Sequence, residues 1–136
     1  MGLYNFQPRF VKPILSGAKT HTIRAIRVHP DKPGNTLHLY TGLRTKQAKL
    51  LMRVPCVKIE EIAIRIVTVN DRIGYQEYRI EIDGAELDAD ECGALARRDG
   101  FPDFKAMMKF WREPKNRLPF KGHIIFWLYD GNEKQR

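Results

Sequence analysis

Between Val57 and Val69 apolar and polar residues alternate, with Ile59, Ile62, Ile64 and Ile66 on the apolar side. A period of two belongs to an extended strand, not to a helix. The adjacent acids Glu60 and Glu61 interrupt the phase, which predicts a bulge or register change there. Shorter strand patterns lie at Thr20–Arg24, Thr36–Thr41, Tyr78–Ile82 and Gly122–Leu128. At least five strands in 136 residues outnumber the helices. The fold class that follows is α+β, a small barrel or strongly bent sheet with helices covering its ends. Closing a sheet removes its exposed edges.

The helical signals are few and local. Phe10, Val11, Ile14 and Leu15 have helical spacing after Pro8, and Gly17 suits a left-handed stop. Pro13 keeps that helix short. Asp88 with Glu91 three residues later forms a capping-box pattern for a helix to about Arg98, stopped by Asp99-Gly100. A second helix, Pro102 to about Trp111, places Phe104, Met107, Met108 and Trp111 on one face, and core packing explains that stripe. Asp31–Asn35 and Asp83-Gly84 read as turns. Thr45–Met52 reads as a brief helix or an ordered lysine-rich loop. No repeat or linker is evident, so residues 1–130 are expected to form one domain with a polar tail at 131–136.

Charge narrows the partners. The chain carries 24 Lys and Arg against 16 Asp and Glu. Residues 1–65 hold twelve basic and three acidic residues, 66–103 four and ten, 104–136 eight and three. Basic ends flanking an acidic middle can form one positive face, which favours a polyanion such as single-stranded RNA. No apolar run approaches the roughly 20 residues of a membrane span, and no signal-peptide pattern follows Met1. Cys56 and Cys92 fit no metal spacing, and free thiols in a reducing cytoplasm are expected.

One stretch resists a packing explanation. Gly17-Ala18-Lys19-Thr20-His21-Thr22-Ile23-Arg24 has almost no apolar residue. As a strand it places Thr20, Thr22 and Arg24 on one face and His21 with Ile23 on the other, giving His21 a structural role. Lys19 can join Thr22 only from a turn after Gly17. Arg24 beside Lys19 lowers the lysine's proton affinity, and a neutral amine can take a proton from a hydroxyl or a water. Backbone N–H groups near Gly17 could stabilise an oxyanion. Asp99, Asp103 and Glu91 are the candidate carboxylates to orient the lysine. His29, His38 and His123 show no ligand spacing.

Gly17-x-Lys19-x-x-Thr22-x-Arg24 resembles the GxKxxTxR signature of the ASCH family, domains homologous to part of activating signal cointegrator 1. The resemblance continues through Gly34, Leu37–Tyr40, Ile59–Ile64, the Ala96–Phe101 segment and Ile124–Trp127, covering roughly residues 6–129. It implies a PUA-like β-barrel with a cleft over the signature and RNA or nucleoside ligands. One family activity is hydrolysis of the amide of N4-acetylcytidine by a lysine, a threonine and a glutamate. Carried over, these are Lys19 as base and Thr22 as nucleophile, with Asp99, one methylene shorter, at the glutamate's place. The other activity is metal-dependent cleavage of single-stranded RNA, for which the sequence shows no ligand set for a divalent cation. The segment Tyr40–Lys46 resembles a longer subgroup of the family. Thr20, Arg24, Tyr40, Arg44 and Lys46 are the candidate ligand contacts: Tyr40 to stack on a base, and Arg44 and Lys46 to track phosphates.

Overall fold

The computed structural model describes residues 2–113, 116 and 118–129. The tail at 131–136, and Lys115 among the basic residues, lie outside them. Among the described residues, seven strands and three α-helices make a mixed α+β fold, ordered β1 (Gly2–Phe6), α1 (Val11–Ser16), β2 (His21–Ala25), β3 (Thr36–Thr41), β4 (Lys49–Asn70), β5 (Tyr75–Ile82), β6 (Ala85–Glu86), α2 (Ala89–Arg98), α3 (Phe104–Trp111) and β7 (Phe120–Trp127).

The 22-residue β4 organises the sheet. Its first part pairs antiparallel with β3, which carries β1 in parallel on its other side. Its middle pairs with β7, and its last part with β5. At Ile62–Ile64 it is flanked by β7 and β5 at once. β2 then adds to β7, and β6 to β5. The register shift between β4 and β7 falls between Cys56 and Lys58. It is therefore not at Glu60 and Glu61, where the sequence placed it. Those acids continue the ladder, and the Glu61 N–H bonds to Asp83 Oδ1 at 2.8 Å. Thr45–Met52 is not helical. Its last four residues start β4, with Leu51 and Met52 fully buried.

Among the described residues the sheet is not closed into a barrel. Among the described residues no ladder joins β1 to β2. Two arginines bridge the open seam: Arg24 Nη2 donates to Asn5 O at 2.7 Å and Arg27 Nη2 to Leu3 O at 2.8 Å. Backbone acceptors on β1 that a neighbouring strand would satisfy are thus met by guanidinium groups.

The core runs between the sheet and the helices. Tyr4, Ile14, Leu37, Leu39, Ile64, Ile80, Leu95, Met107 and Ile124 are at most 1% exposed. Each large apolar side chain so buried contributes about 1.5–3 kcal/mol. Met107, Met108 and Trp111 face this core, as the α3 stripe implied. The α2 cap is the expected one, whereas α3 starts at Phe104 rather than Pro102 and takes Asp103 as its cap. Asp88 and Glu91 form a reciprocal capping box on α2, and Asp103 Oδ1 accepts from the Ala106 N–H on α3. Glu91 and Asp103 are thereby committed to caps.

Candidate functional site

The chain leaves α1 through Gly17, whose φ of 85° lies in the left-handed region. A Cβ there would sit 2.7 Å from the Tyr129 ring. The Lys19 N–H turns back to Pro13 O at 3.0 Å, so Lys19 lies in the connection before β2. This is the geometry needed to bring Lys19 and Thr22 to the same place.

Lys19 is 3% exposed and reaches the end of α2. Its Nζ donates to Asp99 O at 2.7 Å and to Asp99 Oδ1 at 2.6 Å. Asp99 is the C-cap residue of α2, so the lysine also satisfies a carbonyl at the negative end of that helix. The shorter aspartate spans the gap without difficulty. Burial holds the Lys19 amine below the ordinary lysine range; Asp99 opposes this, and Arg24 adds only a small downward push. Desolvation, not Arg24, is therefore the main perturbation. Burial pushes the Asp99 carboxyl upward, but Lys19 and then His21 outweigh it and hold it below the usual aspartate range. The pair is an ammonium and a carboxylate.

Thr22 and Arg24 share one face of β2, as alternation required. Arg24 Nε donates to Thr22 Oγ1 at 2.9 Å, which leaves the hydroxyl proton available to another acceptor. The Arg24 guanidinium lies 4.8 Å from the Phe6 ring centroid and 5.4 Å from that of Tyr4. Burial first, then neighbouring Arg27, depresses its pKa to about 10, so it stays charged at neutral pH.

These four residues border one cleft of about 590 Å³. That volume falls in the range of small-molecule sites, roughly 300–1,000 Å³. Aromatic side chains form much of its wall: Phe10, Phe101, Phe110, Trp111 and Phe120. Phe10 and Phe101 meet edge to face at 5.6 Å, and Arg9 lies 4.8 Å from the Phe101 ring centroid. Gly122 permits the Phe120 placement, because a Cβ there would lie 2.5 Å from that ring and 2.3 Å from Arg24 O. Lys19, Arg24 and Lys121 face a single lining carboxylate, Asp99, so the described wall is electropositive.

The remaining candidates lie elsewhere. Thr20 is half-buried beside the cleft, and its carbonyl accepts from the Trp127 N–H at 3.0 Å. Tyr40 sits opposite Asn5 in the β1–β3 ladder and does not line the cleft. Arg44 and Lys46 are exposed on the loop after β3. That loop is tied to the rim, since the Leu43 N–H donates to Asn5 Oδ1 at 2.9 Å and Asn5 borders the cleft. The expected oxyanion donors are not free. The N–H groups of Gly17, Ala18 and Lys19 bond to Ile14 O, Ser16 Oγ and Pro13 O. Among the described residues no three His, Cys, Asp or Glu side chains group as a metal site. No helix among them is long and apolar enough to cross a membrane.

Two contributions escaped the sequence. His21, placed on the structural face, approaches Asp99 Oδ1 to 3.1 Å. The aromatic wall is drawn from β7 and α3 and their flanks as well as from the chain before α1. The only sequence signal for His21 was its place in a polar run that packing could not explain. Compared with known proteins, the chain matches no family model, no curated protein and no solved structure.

Proposed function

We propose that the chain is an ASCH-type domain whose cleft binds an unpaired or modified base of single-stranded RNA. On this reading the sheet is an opened PUA-like barrel, its seam bridged by Arg24 and Arg27. The observation that carries the proposal is convergence: Thr22, Arg24 and the buried Lys19–Asp99 pair meet on one aromatic-walled cleft. Aromatic faces stack on bases, and hydroxyl, amide and guanidinium groups read their polar edges. Arg9, Lys121, Arg44 and Lys46 would meet the flanking phosphates. A free nucleoside has no phosphate and leaves the basic surplus unexplained.

A second reading, hydrolysis of an N4-acyl group on cytidine, is favoured by the Thr22 hydroxyl and a lysine of lowered pKa bordering the same cleft. The Lys19 ammonium, its proton affinity lowered by burial, would first lose a proton to water; Thr22 Oγ1 would then attack the amide carbonyl, its proton passing to the freed amine and on to the departing cytosine nitrogen. Water would then cleave the acyl-threonine, releasing acetate and restoring the hydroxyl. Asp99 orients Lys19 throughout.

One assay separates the readings. Purified protein is incubated with N4-acetylcytidine, with acetylated single-stranded RNA and with unmodified RNA, each with Mn²⁺ or EDTA. Binding without turnover supports the recognition module. Acetate release abolished by Lys19→Ala supports the amidohydrolase, and Mn²⁺-dependent strand scission supports a ribonuclease. Absence of both binding and turnover on all three substrates removes the proposal.

A further inference from the structure

Asp99 offers one oxygen to two nitrogens. Lys19 Nζ lies 2.6 Å and His21 Nε2 3.1 Å from the same Oδ1. Lys19 and Asp99 border the cleft, whereas His21 does not. His21 sits behind the pair, 1% exposed, with its ring 5.4 Å from that of Phe126 on β7. Although the distance is short, Nε2 has no hydrogen-bond partner of good geometry. Buried polar atoms without a partner are uncommon, and a small ring rotation would supply one. An ionised carboxylate opposite Nε2 favours the tautomer with its proton there, because a lone pair would be repelled.

We propose that His21 is a positioning residue, which from behind the cleft holds Asp99 Oδ1 toward Lys19 Nζ. The groups facing His21 are Lys19 from the α1–β2 connection, Asp99 and Arg98 from the end of α2, and the uncharged Phe126 ring from β7. Burial, with Lys19 and Arg98, outweighs the opposing pull of Asp99 and keeps the imidazole neutral near pH 7, so that a small rotation onto Oδ1 makes it a donor. In acid a charged imidazole would compete with Lys19 for the one oxygen. The functional consequence rests on the Lys19–Asp99 pair being the working pair of the cleft. The contact between His21 and Asp99 does not.

The test uses the whole chain and needs no substrate. Nitrogen NMR of the wild-type imidazole is expected to show the Nε2–H tautomer at pH 7, with slow solvent exchange. Carboxyl carbon NMR then follows Asp99 through an acid titration in wild type, His21→Leu and His21→Gln. Loss of the donor in His21→Leu shifts the Asp99 titration to higher pH, and the amide of His21→Gln moves it back. An Nδ1–H tautomer in the wild type overturns the proposal even where His21→Leu fails to fold. An Asp99 titration identical in wild type and His21→Leu overturns it as well. A confirmed His21–Asp99 coupling in a protein that binds no RNA would leave this inference standing and sink the proposed function alone.

Discussion

Replacing Lys19 by methionine keeps most of the side-chain volume and deletes the charge. Asp99 then remains nearly sheltered from water with no ammonium beside it, and its carbonyl at the end of α2 loses a donor. Removing one partner of a buried pair costs about 3–5 kcal/mol, because the other charge is left uncompensated. A chain this size has on the order of 5–15 kcal/mol in total. The loss would lower Tm by roughly 10–20 °C, interpolating between the responses of smaller and larger domains. The double variant Lys19→Met/Asp99→Leu removes both charges, leaving chiefly the unpaired Asp99 carbonyl, a cost of about 1–3 kcal/mol. Urea unfolding of wild type, both single variants and the double variant closes the cycle. The double variant should be more stable than Lys19→Met alone. Should Lys19→Met lie within about 1 kcal/mol of wild type, or the double loss equal the sum of the single losses, the pair is not a coupled buried ion pair.

Other consequences follow from the same geometry. Burial lowers the His21 pKa from its ordinary 6.5, so the unfolded chain binds that proton first as pH falls. Stability should therefore decline with acid from about pH 6.5, before Asp99 begins to protonate, and His21→Gln should flatten that first decline in a pH series of urea melts. Gly17→Ala forces a side chain into the left-handed region against the Tyr129 ring, and calorimetry should show a loss on the order of 1–3 kcal/mol. Affinity for single-stranded RNA should fall steeply with salt, with a log–log slope of roughly 0.7 per phosphate contacted; Arg44→Ala with Lys46→Ala should make that slope shallower. A flat salt response would remove phosphate contacts from the account.

Local signals were readable and distant ones were not. Gly17, the Asp88–Glu91 box and the Asp83-Gly84 turn act within a few residues, and all three appear where the sequence placed them. β1 went unrecognised although Gly2, Tyr4 and Phe6 alternate inward, because its partner β3 lies about 35 residues along the chain. Lysines around position 49 disguised the start of β4, whose inward residues alone carry the strand signal. The acids Glu60 and Glu61 mimicked a bulge, yet both stay in register opposite Ile124 and His123 on β7. At the site, Lys19, Thr22 and Arg24 were legible from one short stretch, whereas Asp99 was one of three candidate carboxylates and was singled out only by the family resemblance. His21 was not, since His21, Thr22 and Ile23 are all buried at the start of β2 and facial alternation no longer separates them. The rim contact that ties the Arg44 loop to Asn5 depends on tertiary packing and has no sequence signature.

The most direct measurement is a backbone and side-chain NMR titration with a short single-stranded RNA carrying one N4-acetylcytidine. If the cleft holds the base, the earliest and largest shifts fall on Thr22, Arg24, Asp99 and the Trp111 indole, with Arg44 and Lys46 following at the rim. Shifts confined to exposed basic side chains, with Thr22 and Trp111 unmoved at saturation, would contradict that placement.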